Sequence, residues 1–205
     1  MTDTLEPPDE HLVSLSKDGN LDAFNSLVDR YQSLVFTVCY RQLAERTAAE
    51  DAAQETFLSA YRALDQFKGG SFRSWLLRIA LNQSRDELRR RMRRVPSRPF
   101  DAGDPDDPAI DPPDPAADPA AAFDARSLSH ALERALAQLP PDQRDVVLLA
   151  DVHGLQYDEI VAATGVSIGT VKSRLSRGRE RLRQLLARHP ELFPRSGRLH
   201  DRGDA

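Results

Sequence analysis

The sequence predicts an all-α fold made of two small helical domains joined by a flexible acidic linker. Apolar residues recur at three- and four-residue spacing through residues 12–94 and again from about residue 123, and no alternating strand pattern competes. Between these blocks the chain repeats Asp and Pro, a composition that cannot form a helix or bury apolar surface. A chain of 205 residues, 40% of them hydrophobic, suits two small cores better than one large core.

The first helical block is predicted to break at residues 18–20, 44–47 and 67–71, where glycine and polar residues interrupt the apolar pattern. Thr47 is a plausible N-cap for the helix after the second break, and Ser71 for the helix after the third. In that last helix the pattern turns Phe72, Trp75, Leu76 and Ile79 inward, so Trp75 is expected in the core. Its far end becomes basic, with seven arginines between residues 85 and 98 opposed only by Asp86 and Glu87.

The acidic linker explains the net charge of the chain, which is −4. Residues 99–125 contain eight Asp and no Lys or Arg, so the rest of the chain carries a net charge of +4. Charge is therefore segregated along the sequence, with an acidic segment between two basic blocks. This segregation is compatible with binding to nucleic acid, which the net charge by itself argues against.

The second block ends in the pattern of a helix-turn-helix. Helices are expected from about Phe123 to the Pro140-Pro141 break and then through Val146–Leu149 to near Gly154. Residues 155–182 follow with a short helix, a turn at Gly165 and a basic helix that Ser167 can cap. The basic helix has one apolar stripe, formed by Val171, Leu175, Leu182 and Leu185.

The basic helix is a candidate for reading the major groove of DNA. Hydrogen-bond donors lie near its start, and an arginine can bind both acceptors on a guanine edge. Seven Lys or Arg against one Glu between Lys172 and Arg188 is one-sided for an ordinary solvated face, which is the alternative interpretation. The candidate base-reading and flanking residues are Lys172, Ser173, Arg174, Ser176 and Arg177, with Arg179, Arg181 and Arg183 as phosphate contacts.

Other functional classes have little support in the sequence. No run approaches the roughly 20 apolar residues of a membrane span, and the N-terminus is acidic, unlike a signal peptide, so a cytoplasmic protein is expected. Cys39 is the only cysteine and the five histidines are scattered, which predicts no disulfide, metal site or cofactor. No catalytic constellation or small-molecule site stands out, so the chain is not expected to be an enzyme.

These blocks, in this order, resemble the extracytoplasmic-function (ECF) class of bacterial RNA polymerase sigma factors. In the first block the resemblance lies in Asp51-Ala-Ala-Gln-Glu-Thr-Phe-Leu58 and Phe72-Arg-Ser-Trp-Leu-Leu-Arg-Ile-Ala-Leu-Asn82. In the second it lies in Leu139-Pro-Pro-Asp-Gln-Arg144, Gly154-Leu-Gln-Tyr-Asp-Glu-Ile160 and Ile168-Gly-Thr-Val-Lys-Ser-Arg-Leu-Ser-Arg177. Ala52 and Ala53 depart from the bulkier apolar residues usual in the class, as Gln156 departs from a Ser or Thr cap and Thr164 from an apolar residue.

The resemblance implies a domain plan and site residues. Residues 12–95 would bind core polymerase and the minus-ten promoter element, 96–122 would be the linker, 123–188 would bind the minus-thirty-five element, and 189–205 would be a flexible tail. Asp51, Gln54 and Glu55 would dock on the clamp helices of the largest polymerase subunit. The minus-ten residues would be Lys68, Gly69, Ser71, Arg78, Asn82, Arg85 and Arg89. The minus-thirty-five element would be read by the basic helix, with phosphate contacts at Arg144, Tyr157, Thr170, Arg179 and Arg181.

An anti-sigma factor is a further partner that the resemblance implies, besides core RNA polymerase and promoter DNA. Two rival interpretations use part of the same evidence. A self-standing repressor or activator would use the same basic helix, but would need an effector or dimerisation domain in place of the first block. A decoy that binds polymerase without recognising promoters would lack the basic recognition residues, which are present here.

Overall fold

The structure is a computed structural model that describes residues 7–94 and 119–188. Within these ranges the chain forms eight α-helices and no strand, as the sequence predicts. A 3-10 turn, Leu64–Gln66, follows α3, and one turn of π-helix, Leu148–Val152, extends α6. The helices are α1 Asp9–Lys17, α2 Leu21–Leu43, α3 Arg46–Arg62, α4 Phe72–Arg94, α5 Pro119–Ala137, α6 Pro141–Val147, α7 Tyr157–Thr164 and α8 Ile168–Leu186.

The three predicted breaks in the first block all occur where local chemistry ends or begins a helix. Asn20 caps α2 by accepting from the backbone N–H of Ala23 at 3.1 Å, and Ser71 caps α4 by accepting from the N–H of Ser74 at 3.2 Å. The prediction that Thr47 caps α3 is wrong, because α3 begins at Arg46 and Thr47 lies inside its first turn.

The first four helices pack into one unit around α2. Helices α3 and α4 lie against each other and against α2, and α1 packs on α2. Asp9 fastens α1 by an ion pair with Arg30 and a hydrogen bond from the hydroxyl of Tyr31. Trp75 is half-buried and its ring lies 5.3 Å from that of Phe67, so the prediction that it belongs to the core is confirmed.

The last four helices form a second unit in which α8 packs against α5, α6 and α7. The predicted helix-turn-helix is present. Gly165 ends α7 with a φ of 73°, a conformation open to glycine at little steric cost, and Ser167 caps α8 by accepting from the N–H of Thr170 at 3.3 Å. Helix α5 begins at Pro119, slightly earlier than predicted. Of the predicted linker at 96–122, residues 96–118 lie outside the described residues, as does the predicted tail at 189–205, and residues 119–122 belong to α5.

The two units share a packed interface. Helix α4 lies against α7, and α2 lies against α5, so apolar side chains of both units belong to one continuous core. The sequence gives no sign of this contact, because each unit has its own helical periodicity and its own buried faces. The interface places the predicted minus-ten helix beside the predicted minus-thirty-five domain.

The crossing of α6 and α8 depends on Gly178, which is buried. A Cβ on Gly178 would lie 2.7 Å from Cγ2 of Val147, closer than a side chain can approach, and 3.4 Å from the carbonyl oxygen of Gln143. The absence of a side chain therefore lets α8 pack directly onto α6.

We predict that Gly178→Ala lowers the free energy of unfolding by about 1–3 kcal/mol, because overpacking outweighs the better helix propensity of alanine. The matched control is Gly169→Ala, also in α8, where a Cβ would lie 4.0 Å from the Ser167 hydroxyl, in open space. Urea unfolding should show the control unchanged or slightly stabilised. Equal stability of the two variants would contradict the proposed close packing.

Candidate nucleic-acid interface

Helix α8 separates an apolar face from a polar one. Val171 and Leu175 are buried against the rest of the second unit, whereas Lys172, Ser173, Ser176 and Arg177 are exposed. Because these four residues occupy the first half of the helix, their side chains surround the end that a major-groove helix presents to base edges. The sequence-predicted division of α8 into a packing face and a contact face is therefore what the structure has.

The exposed donors are held loosely. The Arg177 guanidinium donates to the carbonyl and hydroxyl oxygens of Ser173 at 3.2 and 3.3 Å, a contact within one helical turn. The Lys172 amine lies 5.8 Å from the centre of the Tyr157 ring, which pre-positions it by a cation–π contact. These weak local contacts leave both cations available to an anionic partner.

Three other arginines of α8 have carboxylate partners. Arg174 pairs with Asp142 of α6, Arg179 makes a two-pronged contact with Asp151, and Arg183 pairs with Glu180. The hydrogen bond to Asp151 raises the pKa of Arg179. These pairs orient the guanidinium groups beside the contact face. Of the other phosphate candidates, Arg181 and Tyr157 are exposed and Thr170 is half-buried, with its hydroxyl 2.9 Å from that of Ser167.

Arg144 does not lie where the sequence interpretation needs it. Its side chain is only 5% exposed, and it donates to the carbonyl oxygens of Leu136, Ala137 and Leu139 at the end of α5 and of Gln42 in α2. Burial lowers the pKa of this guanidinium. A group enclosed by protein carbonyls does not fit the predicted phosphate contact, and the structure places Arg144 as a cap on the end of α5.

The predicted minus-ten residues form a loop and a stripe. Lys68, Gly69 and Ser71 are exposed in the loop before α4, where Gly69 and Gly70 have φ values of 100° and 89° that favour glycine. The other four residues follow a 4-3-4 spacing, which confines them to an arc of about 60° on an α-helix. We call them the α4 stripe: Arg78, Asn82, Arg85 and Arg89.

The α4 stripe faces the second unit for part of its length. Arg85 pairs with Asp145 of α6, and a guanidinium nitrogen of Arg78 lies 3.3 Å from the position that a Cβ on Gly165 would occupy. Arg73, the second residue of α4, donates to the carbonyl of His153 at 2.7 Å. Asn82 and Arg89 are exposed, and Arg89 pairs with Asp86.

Asp145 and Gln42 are interface residues that the sequence interpretation missed. Each is 1% exposed, and the Gln42 amide donates to the Asp145 carboxylate at 2.6 Å. The signal in the sequence is that Asp145 directly precedes the apolar run 146–149. A charged residue that is buried with such a run needs a hydrogen-bonding or charged partner. Which partner it finds depends on a contact 103 residues apart along the chain, which no local pattern reports.

Burial perturbs two titrating groups at this interface. Burial raises the pKa of the Asp145 carboxyl. The Arg85 guanidinium and the Gln42 amide stabilise the carboxylate anion and so oppose this rise. Burial also lowers the pKa of His153 to about 4, with Arg41 and Arg73 of the first unit adding to the effect. Both shifts arise chiefly because burial disfavours the charged form of each group.

The predicted polymerase-docking residues lie together on α3. Asp51 and Gln54 are exposed, and Glu55 is half-buried with contacts to Ser59 and Arg62. A shallow groove of about 410 Å³ runs beside them between α2 and α3. Its lining mixes charge with half-buried aromatic rings and includes Gln32, Phe36, Arg46, Glu50, Gln54 and Phe57.

Comparison with known proteins identifies the family. Residues 27–94 match the model of Sigma-70 region 2 and residues 129–182 match that of Sigma-70 region 4. The chain is 37% identical over 199 residues to the ECF RNA polymerase sigma factor SigE of Mycolicibacterium smegmatis, covering 92% of this chain and 73% of that one. The chain belongs to the ECF sigma factors. Its function is accordingly that of an RNA polymerase sigma factor in transcription initiation.

Other relatives agree with this assignment of the sigma factor. The ECF RNA polymerase sigma-E factor of Escherichia coli is 36% identical over 177 residues, which cover 84% of this chain and 91% of that one. CnrH, solved with the cytosolic domain of CnrY, superposes with a TM-score of 0.66 at 27% identity over 88% and 98% of the two chains. RpoE of Bartonella quintana, solved with the anti-sigma factor NepR, has a TM-score of 0.62 at 28% identity over 80% and 96%.

Residues 7–94 and 119–188 of the sigma factor lack two further features. None of the helices there combines the length and apolar character that crossing a membrane requires. The same ranges contain no group of three or more His, Cys, Asp or Glu arranged to hold a metal ion. Cys39 is buried, and burial raises its pKa to about 11, so this thiol stays protonated at neutral pH.

The position of Arg144 predicts a structural role. Arg144→Met should lower the free energy of unfolding by about 2–3 kcal/mol, because it leaves buried carbonyl groups without donors. Arg134→Met, on an exposed site of α5, should change stability little and serves as the control. Urea unfolding measures both. A variant of Arg144 that unfolds like the wild type but binds promoter DNA more weakly would instead support the phosphate contact.

Proposed function

We propose that this sigma factor recognises its promoters with two separate surfaces and docks on core RNA polymerase with a third. The first half of α8 reads the minus-thirty-five element, the loop before α4 and the α4 stripe engage the minus-ten element, and α3 binds the clamp helices of the largest subunit. The observation that carries the proposal is the exposed donor set of α8, presented on a helix whose opposite face is fixed in the core.

The chemistry of α8 suits a duplex target. Arg177 can bind the two acceptors of guanine, and Lys172, Ser173 and Ser176 supply shorter donors on the same face. Arg174 and Arg179, which Asp142 and Asp151 orient, lie on the flanks, where phosphate oxygens can replace or share those carboxylates. Base readout is thus assigned to side chains with weak local contacts, and contact with the DNA phosphates is assigned to arginines that carboxylates orient.

The first unit supplies a different kind of DNA contact. The loop before α4 exposes Lys68 and Ser71 beside two glycines, whose backbone can approach an unpaired strand closely. The α4 stripe continues this surface with three arginines and an asparagine on one side of the helix. Holding an extruded base with polar contacts recovers part of the energy that strand opening consumes.

The α3 surface is suited to a protein partner. Asp51, Gln54 and Glu55 present polar groups beside the groove between α2 and α3, and Leu58, one turn further, is 51% exposed. A polar rim next to exposed apolar area is typical of a protein interface. We assign this surface to core polymerase.

An anti-sigma factor is the proposed regulatory partner. The sigma factor RpoE of Bartonella quintana was solved with the anti-sigma factor NepR, and CnrH, which has a similar fold, was solved with the cytosolic domain of CnrY. The superpositions cover 98% of CnrH and 96% of RpoE, which supports a comparable interaction here. All of these roles are binding roles, and the proposal assigns the chain no catalytic step.

The proposal predicts promoter-specific transcription that depends on Arg177. In vitro transcription with core polymerase on a promoter library should give starts only when this chain is added. Arg177→Ala should reduce those starts about tenfold or more, because one bidentate base contact contributes about 1–3 kcal/mol of discrimination. Arg134→Ala removes the same charge from an exposed site on α5 and should leave the starts unchanged.

A self-standing regulator would give a different result. It would bind the same duplex sites without producing any polymerase-dependent start, and the first unit would then need another role. Loss of activity in both Arg177→Ala and Arg134→Ala would show a general charge effect in place of base recognition.

The polymerase surface yields a separate prediction. Asp51→Arg should weaken binding of the chain to core polymerase about tenfold, because it reverses charge at a polar interface. Its control is Glu10→Arg, an equal charge reversal on an exposed site of α1. Fluorescence anisotropy of the labelled chain with core enzyme measures both. Unchanged affinity of Asp51→Arg would place the polymerase contact elsewhere.

A further inference from the structure

Arg85 belongs to the proposed minus-ten surface, yet in this structure it is already occupied. Its guanidinium pairs with Asp145 of the second unit, while 28% of its side chain stays exposed. A carboxylate and a phosphate oxygen are chemically similar acceptors for a guanidinium, so Asp145 holds the group that a DNA phosphate would bind. The two partners compete for one residue.

Asp145 is built to hold the units together. Its carboxylate is 1% exposed, and its two side-chain partners, Gln42 and Arg85, both belong to the first unit. Closure of the units is therefore what removes this carboxylate from water, and the pair with Arg85 is what makes its burial tolerable. Burial keeps its pKa raised, as expected for a carboxylate whose partners only partly offset the loss of water.

Capture of Arg85 by another anion would leave the Asp145 carboxylate buried without its cation. Such an unpaired buried charge is strongly unfavourable, and the simplest relief is exposure of Asp145 by separation of the units. Two other arginines of α4 also contact the second unit. Arg78 lies against Gly165, and Arg73 donates to the carbonyl of His153. Of the α4 stripe, closure therefore partly covers Arg85, whereas Arg78, Asn82 and Arg89 stay exposed.

Closed units also cannot reach both promoter elements. The names minus-ten and minus-thirty-five imply a separation of about 25 base pairs, or roughly 85 Å of duplex at 3.4 Å per base pair. Here α4 packs directly on α7, and packed helices lie about 8–10 Å apart. The 24 residues from 95 to 118 can span at most about 80 Å, so the covalent tether permits wide separation of α4 and α5.

We propose that Gln42, Arg85 and Asp145 form an interdomain latch that keeps the free sigma factor closed, and that promoter phosphate opens it by taking Arg85 from Asp145. This inference rests on the proposed DNA-binding role of the α4 stripe. DNA binding and closure are then mutually exclusive, so the fraction of open molecules sets the apparent affinity of the free chain for promoter DNA.

The latch itself is tested without DNA. Dyes on Asn25→Cys of α2 and on Gln138→Cys, directly after α5, report the separation of the two units by energy transfer in the full chain, because both sites are exposed. Arg85→Gln should raise the open population at least tenfold, because it strands the Asp145 carboxylate. Arg85→Gln with Asp145→Asn should return it close to the wild-type level, because the stranded charge is gone. Asp29→Asn, exposed on α2, controls for net charge.

The link to promoter binding is tested with variants that keep Arg85. Asp145→Lys places a like charge against Arg85, and Gln42→Glu places a second carboxylate against Asp145. Both should open the chain, and both should raise the affinity of the free chain for minus-ten promoter DNA at least fivefold. Using two variants on opposite units guards against misfolding of one of them, which circular dichroism would reveal.

Three results would overturn the latch: an unchanged distance in Arg85→Gln, failure of the double variant to close, or open variants that bind promoter DNA no better than the wild type. Failure of the proposed function is separate, because it shows as absence of promoter-specific starts with core polymerase, whatever the distance between the dyes.

Discussion

The ion pair between Arg85 and Asp145 is the contact on which the relation of the two units depends. Apolar packing of α4 against α7 brings the units together, but apolar packing alone does not need a cation at any particular position. The buried carboxylate adds that requirement, since Asp145 can stay out of water only while Arg85 and Gln42 satisfy it. A sigma factor must bind a polyanion, and Arg85, which we propose for that contact, is the cation that pairs with Asp145 when the units are packed together.

The arginines of this protein differ in which acidic residue, if any, each of them contacts. In the second unit, Asp142 and Asp151 orient Arg174 and Arg179, whereas Arg177 has only weak contacts with Ser173. Arg144 is buried and donates to carbonyl oxygens at the end of α5. Arginines that look alike in the sequence are thus divided by their partners into an exposed group, groups paired with carboxylates and a buried cap.

Much of the fold follows from local chemistry. The breaks between helices lie where Asn20, Ser71, Gly165 and Ser167 have their effect, because caps and turns are decided within a few residues. The two faces of α8 follow from its periodicity in the same way. The prediction for Thr47 was wrong because several neighbouring residues can begin a helix at similar cost, and the N-cap of α3 is Glu45, two residues earlier.

By itself the sequence determined the all-α class, the helix-turn-helix, the exposed donors of α8 and, by resemblance, the family, since each depends on spacing within one segment. Only the tertiary structure decided that Arg144 is buried, that the α4 stripe turns toward the second unit and that Asp145 meets Gln42 and Arg85. These facts join residues 60 to 103 positions apart. Helical periodicity states that a face is polar, but it carries no information about which distant charge will lie against it.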